Sequence, residues 1–145
     1  EPERKGEFKV KSQKSWIFDA EQISQSMKRD EILLLDVRNS PRFRGEKEPI
    51  DPIAGHIPGA KNEPFQVNLD SNGLWKKGKD LRRQYLERFP ELEQKKCVIY
   101  CGSGVTACHT FFALKEAGFN NHSIYPGSWS EWISDPSRPI AVGEE

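Results

Sequence analysis

The stretch VIYCGSGVTACHTFFALKEAG, residues 98–118, sets a thiol between an apolar run and a glycine-rich turn that leads into a helical pattern. Gly102 and Gly104 open backbone angles closed to other residues. The turn can therefore aim its N–H groups inward as a concave anion nest. The helix behind it, expected to start near Thr106, adds the positive end of its dipole. A cysteine at the base of such a nest is a nucleophile whose sulfur anion is surrounded by stabilising donors. Two chemistries use this cradle. Phosphoryl transfer wraps a phosphate and needs an arginine six positions after the cysteine, where this chain has Ala107, so a bidentate clamp is missing. The loop is also one residue short for a phosphate. Sulfur transfer needs only a persulfide anion, which is smaller and suits a shorter ring of donors. The residues favour sulfur transfer.

The elements that must position Cys101 follow from hydrophobic patterning. EILLLDVR and KKCVIY are short continuous apolar runs, as in strands buried on both faces of a parallel sheet. FDAEQISQSMKRD opens with Asp19 and carries Gln22 three residues on, a capping-box pattern, with Ile23 and Met27 facing inward. DLRRQYLERF is an amphipathic helix with Leu81, Tyr85, Leu86 and Phe89 on its apolar side, stopped by Pro90. TACHTFFALKEAG is the helix after Cys101, with Gly118 as its C-terminal stop. AKNEPF and NHSIYPG supply shorter strands, SWSEWI a short helix, and residues 39–59 and 66–78 read as irregular. Strands alternating with helices imply a mostly parallel sheet covered on both faces. Such sheets bind ligands beyond the carboxyl ends of their strands. DVR, CGSG and PGSW all fall at such ends, so three separate segments converge on one rim.

Bulk properties narrow the classes. The 145 residues carry 22 basic and 22 acidic side chains, so no basic excess points to nucleic acid. No apolar run approaches the roughly 20 residues that cross a bilayer. Three cysteines are an odd number in a chain of ordinary size, which argues against a disulfide framework and for a reducing, cytoplasmic setting. Cys97 and Cys101 sit at opposite ends of one strand, a poor geometry for a shared metal, and no metal or cofactor is expected. Residues 1–14 are polar and charged and read as a lead-in or a severed interdomain linker, with residues 15–145 as a single catalytic domain.

CGSGVTA, residues 101–107, resembles the active-site loop of rhodanese-type sulfurtransferases, in particular that of 3-mercaptopyruvate sulfurtransferases. LLDVRNSPRFRGEKEPIDPIAGHIPGAKNEPF, residues 34–65, is similar to a second family signature of Asp-x-Arg, Arg-Phe-x-Gly and Gly-His-Ile-Pro-Gly-Ala. YPGSWSEW, residues 125–132, resembles the segment that closes the catalytic domain of the two-domain enzymes. The resemblance implies a rhodanese-like α/β fold with a central parallel sheet of about five strands between helices. It implies Cys101 as the sulfur-accepting nucleophile and the N–H groups of Gly102, Ser103, Gly104, Val105 and Thr106 as the persulfide cradle. It implies Arg42 as the binder of the donor's anionic group and Ser103 as a polar residue helping proton handling. The substrates would be a small anionic sulfur donor, thiosulfate or 3-mercaptopyruvate, and a thiol acceptor or cyanide. A non-catalytic first domain, normally present in the two-domain enzymes, would be missing.

One departure stands out. Where mercaptopyruvate enzymes often carry Glu-Pro-Arg, this chain has Glu48-Pro49-Ile50, so a second carboxylate clamp is absent. Asp36 and Arg38 are expected to brace the loop by pairing, and His56 to lock it by a hydrogen bond rather than to act as a base. Arg44 and the run Lys76, Lys77, Lys79 read as surface. Cys97 and Cys108 read as structural, and Phe111, Phe112, Trp129 and Trp132 as core or pocket wall. The competing readings are a phosphatase on the same fold, a partner-binding module with little activity, and a thiol-redox role for Cys101 with Cys97 or Cys108.

Overall fold

The computed structural model describes Lys9 and residues 14–144, so most of the charged lead-in lies outside the described residues. Two apolar runs form the central strands, β1 (Ile32–Asp36) and β3 (Lys96–Tyr100), paired in parallel with Leu34 opposite Val98. A short β2 (Lys61–Asn62) flanks β1, and β4 (His122–Ile124) flanks β3, giving the all-parallel order β2-β1-β3-β4. The sheet thus has four strands among the described residues where about five were expected. Beyond β4 the chain makes a single parallel bridge, Ile17 to Ile124, with the Phe18 N–H donating to the Ile124 carbonyl at 2.8 Å.

The strand period of two sorts side chains onto two faces. Leu33, Leu35, Cys97, Ile99 and Cys101 pack against α3 (Gly78–Arg88) and α4 (Val105–Glu116), meeting Leu81, Tyr85, Ala107, Phe111 and Leu114. Ile32, Leu34, Val98 and Tyr100 face the other way, towards Ile23 of α1 (Ala20–Lys28) and Trp129 and Trp132 of α5 (Ser128–Trp132). Burial of each large apolar side chain stabilises the fold by roughly 1.5–3 kcal/mol before entropy is subtracted. Trp129, Trp132 and Phe111 are in the core as expected, whereas Phe112 is exposed. The capping box of α1 is present in full: Asp19 Oδ1 accepts from the Gln22 N–H at 2.8 Å, and Gln22 Oε1 accepts from the Asp19 N–H at 2.9 Å.

Residues 39–59 are less irregular than their composition suggests. One helical turn, α2 (Ser40–Phe43), begins after Asn39, whose carbonyl accepts from the N–H groups of Arg42 and Phe43 at 2.9 and 3.2 Å. The rest of this segment is tied at several points. The Gly55 carbonyl accepts from Arg38 Nη2 at 2.7 Å. His56 exchanges backbone hydrogen bonds with Ala141 at 2.9 and 3.0 Å, and the Gly143 N–H donates to the Arg44 carbonyl at 2.9 Å. Gly55 has φ +124°, and a Cβ there would collide with the Ala141 carbonyl, so glycine is what lets the tail lie against the loop.

Candidate active site

Cys101 leaves β3 on the side facing α4 and is 2% exposed. Its loop turns at Gly104, which sits at φ +84° in the N-cap position of α4, one residue earlier than the start expected from the pattern. A Cβ on Gly104 would lie 2.6 Å from the Pro126 carbonyl oxygen, so both conformation and space require glycine. In this turn the Gly104 N–H donates to Cys101 Sγ at 3.1 Å. Val105 and Thr106 stand in the first turn of α4, where N–H groups have no intrahelical carbonyl to bond.

The loop is held from behind by α5. Ser128 Oγ accepts from the Cys101 N–H at 3.1 Å and donates to the Tyr125 carbonyl at 2.9 Å. The Trp129 N–H donates to the Cys101 carbonyl at 3.0 Å, and the Ser130 N–H donates to the Gly102 carbonyl at 2.9 Å. Ser128 is buried and takes φ +54°, an uncommon backbone for a residue other than glycine. The family-like segment PGSW therefore grips both sides of Cys101. Sequence reasoning placed it on the right rim but missed Ser128 and Ser130 as individual contacts.

A cleft of about 190 Å³ opens beside the sulfur, lined by Arg42, Ile50, Asp51, Cys101, Gly102, Ser103, Val105, Thr106 and Ser130. A larger cavity of about 430 Å³ lies away from it, against Met27, Ile57, Trp132 and Arg138, and no residue of the cysteine loop lines it. The Arg42 guanidinium reaches the cleft from α2, with its nitrogens 3.4 and 3.6 Å from where a Cβ on Gly102 would be. It is not idle. Its Nε donates to both oxygens of Glu48 at 3.0 Å, and its Nη2 donates to Asp51 Oδ2 at 3.1 Å. Burial would raise the Glu48 carboxyl, but the Arg42 guanidinium and the N–H groups of Asp51 and Ile50 outweigh it and hold Glu48 below the usual carboxylate range. Asp51 Oδ1 in turn accepts from Ser130 Oγ at 2.7 Å. Glu48 and Asp51 belong to the site and were not singled out from the sequence, although the segment EPID contains both.

Asp36 and Arg38 form a buried pair below the rim, with Arg38 Nη2 2.6 Å from Asp36 Oδ2 and Nε donating to both carboxylate oxygens. Burial disfavours charge on Arg38, but Asp36, with Tyr100 and Glu48 adding to it, more than compensates, so the guanidinium pKa is raised. Arg38 also lies 4.9 Å from the Trp129 ring, and Trp129 Nε1 donates to the Ile53 carbonyl at 2.8 Å. His56 is buried outside the cleft lining and stacked on Phe43 with ring centroids 3.7 Å apart. Its Nδ1 is 2.7 Å from the Phe43 carbonyl, which can only accept, so Nδ1 carries the proton. Cys97 is buried in the core, with its thiol pushed upward by burial. Cys108 is exposed rather than packed, and its Sγ donates to the Gly104 carbonyl at 3.4 Å. Its place on the outer side of α4 follows from Ala107, Thr110 and Phe111 taking the inner side.

Known proteins share the sequence and the fold over most of this chain. The family profile described as Rhodanese-like domain matches residues 19–135. A probable 3-mercaptopyruvate sulfurtransferase of Pseudomonas aeruginosa is 46% identical over 97% of this chain and 50% of its own length. The human 3-mercaptopyruvate sulfurtransferase is 39% identical over 96% of this chain and 47% of its own length. The chain thus spans about half the length of these relatives. Among solved structures, the anaerobic ergothioneine biosynthesis enzyme of Chlorobium limicola superposes with a TM-score of 0.80 at 21% identity, covering 90% of this chain and 33% of that one, which shows the shared fold.

Proposed function

The chain belongs to the rhodanese-like domain family, and on that premise we propose that it is a sulfurtransferase working through a persulfide on Cys101. The observation that carries the reading is the Gly104 N–H donated to a buried Cys101 Sγ at the head of α4, open to an arginine-lined cleft. In the first half-reaction the Cys101 thiolate attacks the sulfane sulfur of the donor and forms an S–S bond. With thiosulfate the donor's own S–S bond breaks and its electron pair leaves on sulfite. With 3-mercaptopyruvate the C–S bond breaks and the carbon takes a proton to become pyruvate. In the second half-reaction cyanide or a thiol attacks the outer sulfur and the Cys101 thiolate leaves.

Preorganised backbone donors stabilise the sulfur anion in both steps. The roles we assign are nucleophile for Cys101, cradle for the N–H groups of Gly102, Ser103, Gly104, Val105 and Thr106, and anion contact for Arg42, with Ser103 in the cleft lining helping substrate binding and proton handling. Asp36, Arg38 and His56 support the loop. Residues 15–145 would form one catalytic domain, and the doubled length of the relatives supports a second, non-catalytic domain as partner. The free cysteines are consistent with a reducing, cytoplasmic setting. Ala107, buried in α4, leaves no arginine six positions after Cys101, which separates this reading from a phosphatase.

The test is an intact mass after incubation with each donor in the absence of reductant. One added sulfur is expected with at least one donor, and none in Cys101→Ser. No gain with either donor would overturn the proposal.

A further inference from the structure

Among its lining residues the cleft beside Cys101 has one cation, Arg42, and that cation is already shared by two carboxylates. Glu48 takes its Nε and Nη2 and is 4% exposed in its side chain. Asp51 Oδ2 also accepts from Nη2, at 3.1 Å, and is 7% exposed in its side chain. The formal charge of Arg42, Glu48 and Asp51 together is one negative. Next to Asp51, Ile50 is 76% exposed on the cleft rim and adds no charge. Arg38 also reaches Glu48 Oε2 at 3.4 Å, but it leaves the net charge unchanged because Asp36 pairs with it below the rim.

Asp51 is also held in place. Ser130 Oγ, 2.7 Å from Asp51 Oδ1, is 2.8 Å from the carbonyl of Gly102, the residue after the nucleophile. The carboxylate is therefore latched between the anion-binding guanidinium and the sulfur-bearing loop, within the volume a donor must enter.

Resting on the sulfurtransferase reading, we infer that Asp51 is a donor-specificity residue: its carboxylate admits singly charged sulfur donors in preference to doubly charged ones. Coulomb energy is linear in charge, so a fixed carboxylate opposes a dianion twice as strongly as a monoanion at the same distance. Solvent screening is weak for a group this buried. 3-Mercaptopyruvate brings one carboxylate, and thiosulfate brings two negative charges. Removing the Asp51 charge should then multiply the rate for thiosulfate by the square of the factor for 3-mercaptopyruvate. If Asp51 served only to hold Arg42 in place, its loss would loosen the one cation of the cleft and lower the rate for both donors.

The experiment measures kcat/KM for both donors with cyanide as common acceptor, in the wild type and in Asp51→Asn. The asparagine Oδ1 still accepts from Ser130, so the latch to the loop stays, while the charge and the hydrogen bond that Oδ2 accepts from Arg42 Nη2 go together. A rise of about threefold is expected for 3-mercaptopyruvate and about tenfold for thiosulfate. Asp51→Ser makes the same charge change with a different shape and should reproduce the ratio if the first variant folds poorly. A fall for the two donors, an equal change, no change, or two variants that both fail to fold would overturn the inference. A wild type that gains no sulfur from either donor would instead overturn the sulfurtransferase reading.

Discussion

Cys101 is placed by hydrogen bonds that come from outside its own strand and helix. Ser128 Oγ receives its N–H, and the Trp129 N–H caps its carbonyl. Ser128→Ala removes a buried hydroxyl that serves two backbone groups, leaving the Cys101 N–H and the Tyr125 carbonyl without it. Each buried group so orphaned costs about 1–3 kcal/mol. With each group at the lower end, about 2 kcal/mol in all, the expected outcome is a melting temperature lower by about 4–8 °C, taking 2–4 °C per kcal/mol for a chain of this size. Slower persulfide formation at saturating donor should accompany it, because the thiol is no longer held against Gly104. Unchanged persulfide kinetics would restrict Ser128 to stability. At this scale the sequence was informative about Cys101 and its glycines because their chemistry is local. It was silent on the Asp51–Ser130 contact, which joins positions 79 apart and has no local signature.

The elements were legible wherever a local signal and a burial pattern agreed. The runs that became β1 and β3 are apolar on both faces, and both faces are covered. α1 announced itself through Asp19 and Gln22. Asp19→Ala should cost about 1 kcal/mol, visible as a lower midpoint in chemical denaturation with an unchanged slope. It should leave sulfur uptake by Cys101 intact, since α1 contributes no residue to the cleft. α2 was not legible, because a single turn carries too few residues for a period to register and Pro41 reads as a breaker there. The edge strands were harder still. β2 has two residues and β4 three, so their length is set by pairing with β1 and β3 rather than by propensity.

On the scale of the whole molecule, stability depends on buried titratable groups both beyond the site and within it. Burial, with Lys115 and Lys96 adding to it, pushes His122 down to about 4. Its folded value lies below that of the unfolded chain, which therefore binds more protons between the two. The stability it contributes is fully present above about pH 6.5 and is lost as pH falls towards 4. A thermal series across that window should show a falling melting temperature. His122→Phe should flatten the slope. Glu48, held below its usual range, adds a loss at still lower pH, once its carboxylate is protonated away from Arg42. A profile that stays flat from pH 7 to 4 would contradict the His122 assignment, and one with no further loss below that would contradict the Glu48 assignment.

The fastening of residues 44–56 also bears on time rather than on energy. Arg38 holds Gly55, Ala141 holds His56 and Gly143 holds Arg44, so the acidic segment is stapled to the body near both of its ends. A donor meets a wall already in its working shape. Persulfide formation should accordingly follow a single exponential from the first milliseconds, its rate climbing with donor concentration without a lag or a slow closing phase.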